Sequence, residues 1–569
     1  MNKNMNLSWI DEKLNQMSLE EKVGQLLMVF LQDIKNEEKH LEIIDSVIKY
    51  NLGGVFHSSI SRHILAKFVL EVQNRSKIPV FISGDYECGP GWVVEDGLRI
   101  SRSMARGNAG DIELEYKIGS IIADQGRAIG TTVNFSPVID LNTNNLNPDV
   151  NVRAYGEDVD TVCTLAVPFI KGIQENGMLA CVKHFPGNGA TNMDQHICTA
   201  IIECSEDEMK DTFLKAYKRC FEEANPAFVM VGHLEVPSLV NEVNPKNGRL
   251  VPSSVSKEIV TGLLKNELGF EGVAITDALN MGGITTHYTR EEAAVKAIQA
   301  GIDMLLVFHY DYDREYEAII KAVREGQIHI ERIDNAVRNI LIAKLKAGLD
   351  QNKGLPAAYQ VIEELFANKE YEHISLKSIQ NGITVLRNKN NALPIKDING
   401  KRIAVISTFN PDKETLKVQK QEEITMIDYT PRFLEDRGAI VEHFEISLHM
   451  LIDDINSIVA KADQFDYIFY NFYIAPSWGI GTLIPNKSAL RLFMFGLLSI
   501  EKPIIITAFG DPYIMNYCPN AKAYMCTFDE TLVAQKAAVK AWLGEEPVRG
   551  KTPVTLANIF SRGDGINVG

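Results

Sequence analysis

Residues 256–284 read SKEIVTGLLKNELGFEGVAITDALNMGGI. In the first half, Ile259, Val260, Leu263, Leu264 and Leu268 fall on one face of a helix that begins at Ser256. The second half, Gly272–Asp277, is a short apolar run that reads as a strand. It delivers a carboxylate, Asp277, into a Gly-rich turn. The same alternation runs through residues 1–350. Seven further runs read as strands: Leu26–Phe30, Gly53–Phe56, Ile78–Gly84, Thr132–Pro137, Leu179–Lys183, Ala227–Gly232 and Ile302–Val307. Amphipathic segments separate them, the first opened by a capping box of Ser18 and Glu21. Parallel neighbours need crossover connections, so the alternation calls for a parallel sheet. Eight repeats over this length predict an α/β fold, a (β/α)8 TIM-like barrel, with a doubly wound open sheet as the rival arrangement.

Residues 351–395 read as a connector: a break at QNKGLPAAYQ, a helical piece around Tyr371–Gln380 and a polar loop, NKNNALPI. Beyond it, Arg402–Ser407, Ala439–Phe444, Tyr467–Phe472, Pro503–Ala508 and Ala521–Cys526 read as strands with helices between. Residues 396–569 are therefore expected to form a second, smaller α/β sandwich domain.

Composition narrows the function classes. With 45% hydrophobic and 23% charged residues, the 569-residue chain can bury a large core and has no long disordered stretch to explain. A formal net charge of −16 argues against nucleic acid and anionic membranes as partners, since both need a basic face. The eight cysteines form no CxxC pair and read as free thiols of a reducing compartment. The N-terminal stretch MNKNMNLSWIDEKLNQMSLEEKVGQLL has no apolar core of a signal peptide, and no run of eighteen apolar residues occurs. A cytoplasmic location is expected.

A barrel places its reactive groups at the C-terminal ends of strands. Asp85, Asp140, Lys183, His184, His233 and Asp277 all stand at such ends. Asp277 is rigidly aimed there, which suits a nucleophile for an anomeric carbon, although an Asp at this place can also cap the next helix. The loop KHFPGNGATNMDQH, residues 183–196, carries Asp194 and His196 two apart. A carboxylate beside an imidazole holds its tautomer and stabilises its protonated form, the design of a general acid/base. A surface Asp–His contact is the other reading. No third ligand stands at usable spacing, so a metal is not expected.

These stretches resemble glycoside hydrolase family 3, in particular its β-N-acetylglucosaminidase branch, over nearly the whole chain. KHFPGNGATNMDQH is similar to the branch's Lys-His-Phe-Pro-Gly-His-Gly motif followed by Asp-x-His, and GFEGVAITDALNMGGI to the nucleophile strand. NFSPVIDLN and NVRAYGED resemble the stretch that carries a sugar-binding Arg; FISGDYECG resembles an Asp-Gln-Glu-Gly-Gly segment. KPIIITAFGDPY and WLGEEPVRGKTPVTL look like segments of the family's α/β sandwich. The β-glucosidase branch lacks Asp-x-His and takes its acid/base from another region.

The resemblance implies Asp277 as nucleophile, His196 as acid/base and Asp194 as its orienting partner. It implies Asp85, Arg153, Lys183 and His184 as ligands of sugar hydroxyls, with His233 lining the site, and no metal or organic cofactor. The implied activity is retaining, exo-acting cleavage of terminal β-linked N-acetylglucosamine from small carbohydrates, peptidoglycan fragments among them. Two departures bear on specificity. Asn188 stands where the branch has a second His, and Tyr86-Glu87-Cys88-Gly89-Pro90 replaces a neighbourhood that ends in Arg, for which Arg99 or Arg102 is a substitute. A phosphorylase using the same residues and an inactive sugar-binding protein are the alternatives.

Overall fold

The structure is a computed structural model and describes residues 6–31, 33–308, 311–351, 354–410, 427–502 and 504–569. Pro503, the first residue of one expected strand, lies outside them. The chain forms two compact units. The first comprises Met1–Arg99, Ile112–Leu141 and Val162–Glu372, and the second Ile100–Asp111, Asn142–Thr161 and His373–Gly569.

The first unit is the expected closed parallel barrel rather than an open sheet. Its strands are β1 (Leu27–Phe30), β2 (Gly54–Phe56), β3 (Phe81–Gly84), β4 (Val133–Asn134), β5 (Leu179–Phe185), β6 (Phe228–Val231), β7 (Val273–Ala278) and β8 (Met304–Val307). Closure is made by β1, which pairs with β2 at Met28↔Gly54 and with β8 at Leu27↔Leu305. Helices cover the outside and side chains fill the inside, so Leu27, Met28, Val273, Ala274 and Ile275 are all fully buried. That double burial is why the strands read as continuous apolar runs instead of alternating ones.

The helix before β7 buries Ile259, Val260, Leu263 and Leu264, as its pattern predicts, and leaves Leu268 half-buried. It is wound with wider i→i+5 bonds, Leu268 N–H donating to Leu263 O at 2.9 Å. The Ser18 capping box is present: Glu21 N–H donates to Ser18 Oγ at 3.2 Å, and Ser18 N–H to Glu21 Oε2 at 3.1 Å. Strand β4 is two residues long where six were expected, and Pro137, which has no N–H to donate, stands in the remainder. Strand β5 runs two residues further than expected, so Lys183 and His184 lie within it.

The second unit holds a six-stranded sheet of β9 (Thr384–Asn388), β10 (Arg402–Asn410), β11 (Ile440–Ile446), β12 (Tyr467–Ile474), β13 (Ile504–Gly510) and β14 (Ala523–Cys526). Their order is β9-β14-β13-β12-β10-β11, parallel throughout except that β9 runs antiparallel to β14. Alternate residues feed two cores: Ala404, Ile406, Tyr470 and Ile506 one, and Ile403, Val405, Phe469 and Ile505 the other. Two buried faces with period-2 alternation make this unit an α/β sandwich. Among the described residues no helix is long and apolar enough to cross a membrane.

Candidate active site

Three polar groups gather at the C-terminal ends of the barrel strands. The first is built on Lys183 of β5, which is 3% exposed. Its ammonium lies 2.6 Å from Asp85 Oδ1 and 2.7 Å from Glu87 Oε1, both on the chain leaving β3. A buried ammonium is tolerated when paired, and here it meets two carboxyl groups. Between them in sequence, Tyr86 turns the other way. It is fully buried, and its hydroxyl meets His57 Nε2 at 3.1 Å and Thr131 Oγ1 at 2.9 Å. Burial pushes the His57 imidazole down to about 3, so it is neutral at physiological pH.

The second group pairs His184 with Asp140. His184 Nδ1 is 2.7 Å from Asp140 Oδ2, and its backbone N–H donates to the same oxygen at 3.2 Å. The other oxygen, Oδ1, accepts Asn188 N–H at 2.6 Å. Since the carboxylate only accepts, His184 carries a hydrogen on Nδ1. Asn188 therefore serves Asp140 through its backbone, while its side-chain oxygen accepts from Thr191 Oγ1 at 3.2 Å.

The third group joins Asp277, at the end of β7, to the loop that follows β5. Asp194 Oδ1 accepts both His196 N–H, at 2.9 Å, and Nδ1–H, at 2.7 Å, so the pair is already formed. Gln195, between them in sequence, reaches Asp277: its Nε2 lies 3.3 Å from Asp277 Oδ2. The loop is clamped onto the turn after Asp277. Gly282 N–H donates to His196 O at 2.8 Å, and Gly283 N–H to Gln195 O at 2.9 Å. Only glycine permits this approach. A Cβ on Gly282 would sit 2.3 Å from the Ile197 carbonyl carbon, and one on Gly283 2.7 Å from His233 O.

His233 braces the same place from below. It is fully buried, with Nδ1 2.7 Å from Ser254 Oγ and Nε2 3.1 Å from Ala278 O. The carbonyl can only accept, so Nε2 bears the hydrogen and Ser254 donates to Nδ1. Burial lowers its basicity, and the charge of Asp277 opposes that shift. The buried Cys181 thiol reports how closely the charged groups gather: burial raises it, Lys183 opposes, and Asp85 and Asp277 add to the rise.

Arg153 belongs to the second compact unit, where Nη1 lies 2.6 Å from Asp149 Oδ1 and 3.0 Å from Asp149 O. Of the two arginines considered as substitutes after Asp85, Arg99 stacks on Trp92 at 4.4 Å. Arg102 is held by Glu530, with Nε 2.8 Å from Oε2. Reading the sequence missed Glu87, Gln195 and the tie of Asp140 to His184. Asp140 was visible as a strand-end acid, but its partner is 44 residues away.

A model of the glycosyl hydrolase family 3 N terminal domain matches residues 18–343. A β-N-acetylglucosaminidase/β-glucosidase of Cellulomonas fimi is 28% identical over 565 residues, covering 96% of this chain and 95% of that protein. Among solved structures, the β-glucoside phosphorylase BglX bound to 2FGlc superposes with a TM-score of 0.86 at 26% identity, covering 98% of this chain and 97% of that one. A family 3 β-N-acetylglucosaminidase from Paenibacillus sp. str. FPU-7 gives a TM-score of 0.82 at 25% identity, covering 95% and 99%. With more than half of the chain matched by the family model and the barrel carrying its acidic and basic groups at one mouth, the chain belongs to glycosyl hydrolase family 3 and acts on O-glycosyl bonds.

Proposed function

We propose that the protein is a retaining, exo-acting β-N-acetylhexosaminidase that releases terminal β-linked N-acetylglucosamine. The observation that carries this is the single constellation of Asp277, Gln195 and the Asp194–His196 pair, tied together by the two Gly282 and Gly283 hydrogen bonds. Asp277 attacks the anomeric carbon and forms a glycosyl ester while His196, protonated and oriented by Asp194, gives its Nε2 proton to the departing oxygen. Water then attacks the anomeric carbon of that ester; neutral His196 takes its proton, and Asp277 leaves as carboxylate. Asp85, Lys183 and His184 take the sugar hydroxyls. His233, whose ring is spent on Ser254 and Ala278, holds the end of β7. The Cellulomonas fimi and Paenibacillus relatives, both named for N-acetylglucosaminidase activity, support the sugar assignment.

The test is kcat/KM on paired aryl β-N-acetylglucosaminide and β-glucoside, with the anomer first released followed by NMR. The reading expects the N-acetylglucosaminide to be preferred and the β-anomer to appear first. A better β-glucoside overturns the sugar, and an α-anomer overturns the mechanism.

A second reading has one observation of its own, the likeness to the β-glucoside phosphorylase BglX over nearly the whole chain. A neutral imidazole base carries no charge to repel phosphate, as a carboxylate base would. Sugar 1-phosphate formed in phosphate buffer would favour it; free sugar alone would exclude it.

A further inference from the structure

We propose that Gln195 is a positioning residue that sets the orientation of the Asp277 carboxylate and couples it to the loop carrying His196. This rests on the reading of Asp277 as nucleophile and His196 as acid/base.

The orientation of the Gln195 amide follows from its neighbours. Oε1 lies 3.0 Å from the His233 backbone nitrogen, which can only donate. The oxygen must therefore face His233, and the NH2 end must face Asp277 Oδ2, at 3.3 Å. The reverse orientation would set donor against donor at His233 and acceptor against acceptor at Asp277. The side chain is fully buried, so the amide is held by these contacts rather than by bulk water. Asp277 Oδ1 meanwhile accepts Ala278 N–H at 2.8 Å. Each carboxylate oxygen thus has its own donor, which restricts rotation of the carboxylate about its last bond.

The main chain completes the coupling. Gln195 O accepts Gly283 N–H at 2.9 Å, and the next carbonyl, His196 O, accepts Gly282 N–H at 2.8 Å. Side chain and backbone of one residue therefore contact the nucleophile, the end of β6 and the turn after β7. The residue between Asp194 and His196 is then part of the machinery rather than a spacer, although it is uncharged.

Two variants test this, both assayed with 2,4-dinitrophenyl β-N-acetylglucosaminide. That leaving group needs no proton from His196, so the acidic limb of kcat/KM reports the state of the nucleophile. Gln195→Glu places a second carboxyl against Asp277, and the pair then shares a proton. The acidic limb should move to higher pH by about one unit or more. Gln195→Met keeps the volume and removes the donor. It should lower kcat at least about tenfold, as loss of one buried charge-assisted bond would, with KM changed less than about threefold. If Gln195→Glu does not fold, Gln195→Met carries the test alone. Folded variants with wild-type limb and kcat overturn the proposal. Asp277→Asn is measured in parallel. Retained activity there refutes the nucleophile reading itself, whereas an inactive Asp277→Asn beside unchanged Gln195 variants refutes only this inference.

Discussion

Gly282→Ala puts the clamp between the loop after β5 and the turn after β7 to a quantitative test. Gly282 does not occupy the left-handed region, so alanine carries no backbone penalty there. The penalty is contact. The added Cβ would stand 2.3 Å from Ile197 C, 2.4 Å from Ile197 O and 2.8 Å from Cys198 N, all backbone atoms that no rotamer change can move. Ordinary contact begins at 3.4 Å, so the loops must part by about 1 Å. Parting weakens the Gly282–His196 and Gly283–Gln195 hydrogen bonds, worth about 0.5–1.5 kcal/mol each. Overpacking adds about 1–3 kcal/mol, so stability should fall by about 2–6 kcal/mol, toward the lower figure where the loop relaxes outward. A displacement of about 1 Å in a catalytic group costs about 10²-fold in rate, which is within what a general acid supplies. The assay is the glycosylation rate, read as kcat on an alkyl and as kcat/KM on a dinitrophenyl β-N-acetylglucosaminide, with thermal melting to confirm folding. The alkyl substrate should lose about 10²-fold and the dinitrophenyl substrate much less, because only the former needs the proton. A folded variant whose alkyl kcat stays within about threefold, or about 0.65 kcal/mol, of wild type would refute the claim that close approach positions His196.

His196→Ala should slow the alkyl glycoside by about 10²–10⁴-fold and spare the dinitrophenyl glycoside, measured as glycosylation rate against leaving-group acidity; equal losses would remove His196 as proton donor. Adding Asp194→Ala to it should cost little more, since the two act as one unit, and full additivity of the two losses would refute that. Asp140→Asn puts an amide NH2 against either Asn188 N–H or the two His184 donors, so KM should rise about tenfold with kcat less affected. An unchanged KM would show that His184 does not need its partner. For His57, the folded group sits at about 3 and the unfolded one at about 6.5, so the unfolded state binds the extra proton between those values. Its contribution is present above pH 6.5 and is lost as pH falls toward 3, at no more than about 1.4 kcal/mol per pH unit. His57→Gln should flatten the fall in melting temperature between pH 6.5 and 4, and an unchanged slope would count against it.

The barrel was legible because its strands are buried on both faces and because each crossover helix carries its own apolar stripe. The segments Ile100–Asp111 and Asn142–Thr161 were not, because local pattern says that Met104, Ala105 and Val152 are buried without saying in which core. They pack with Ile406, Tyr470 and Ile506 of the second unit. The strand-end carboxylates could be read because burial at the end of an apolar run is costly for an acid without a function or a partner. Glu87 and Tyr86 show the limit of that argument. Past Gly84 the strand alternation ends, and nothing in DYEC tells which side chain turns to Lys183 and which to His57. Gln195 was passed over because it does not titrate, and a search for acids and bases is blind to the amides that aim them.

In the proposed mechanism the two carboxylate–imidazole pairs use one device to different ends. In both, Nδ1 lies 2.7 Å from a nearly inaccessible carboxylate, and the backbone N–H of the same histidine donates to that same carboxylate oxygen. Each ring is thereby held with hydrogen on Nδ1, leaving Nε2 as the atom that exchanges or binds. What separates them is mounting and exposure. His184 lies inside strand β5 with its side chain 4% exposed, where a fixed ligand of a hydroxyl belongs. His196 stands on an irregular loop with its side chain 19% exposed, over an Asp194 that is 1% exposed. A proton carrier must reach the departing oxygen in the first step and water in the second, so it needs that access, while its orienting acid must stay buried. The loop supplies the access, and the Gly282 and Gly283 clamp returns the precision that a loop would otherwise lose.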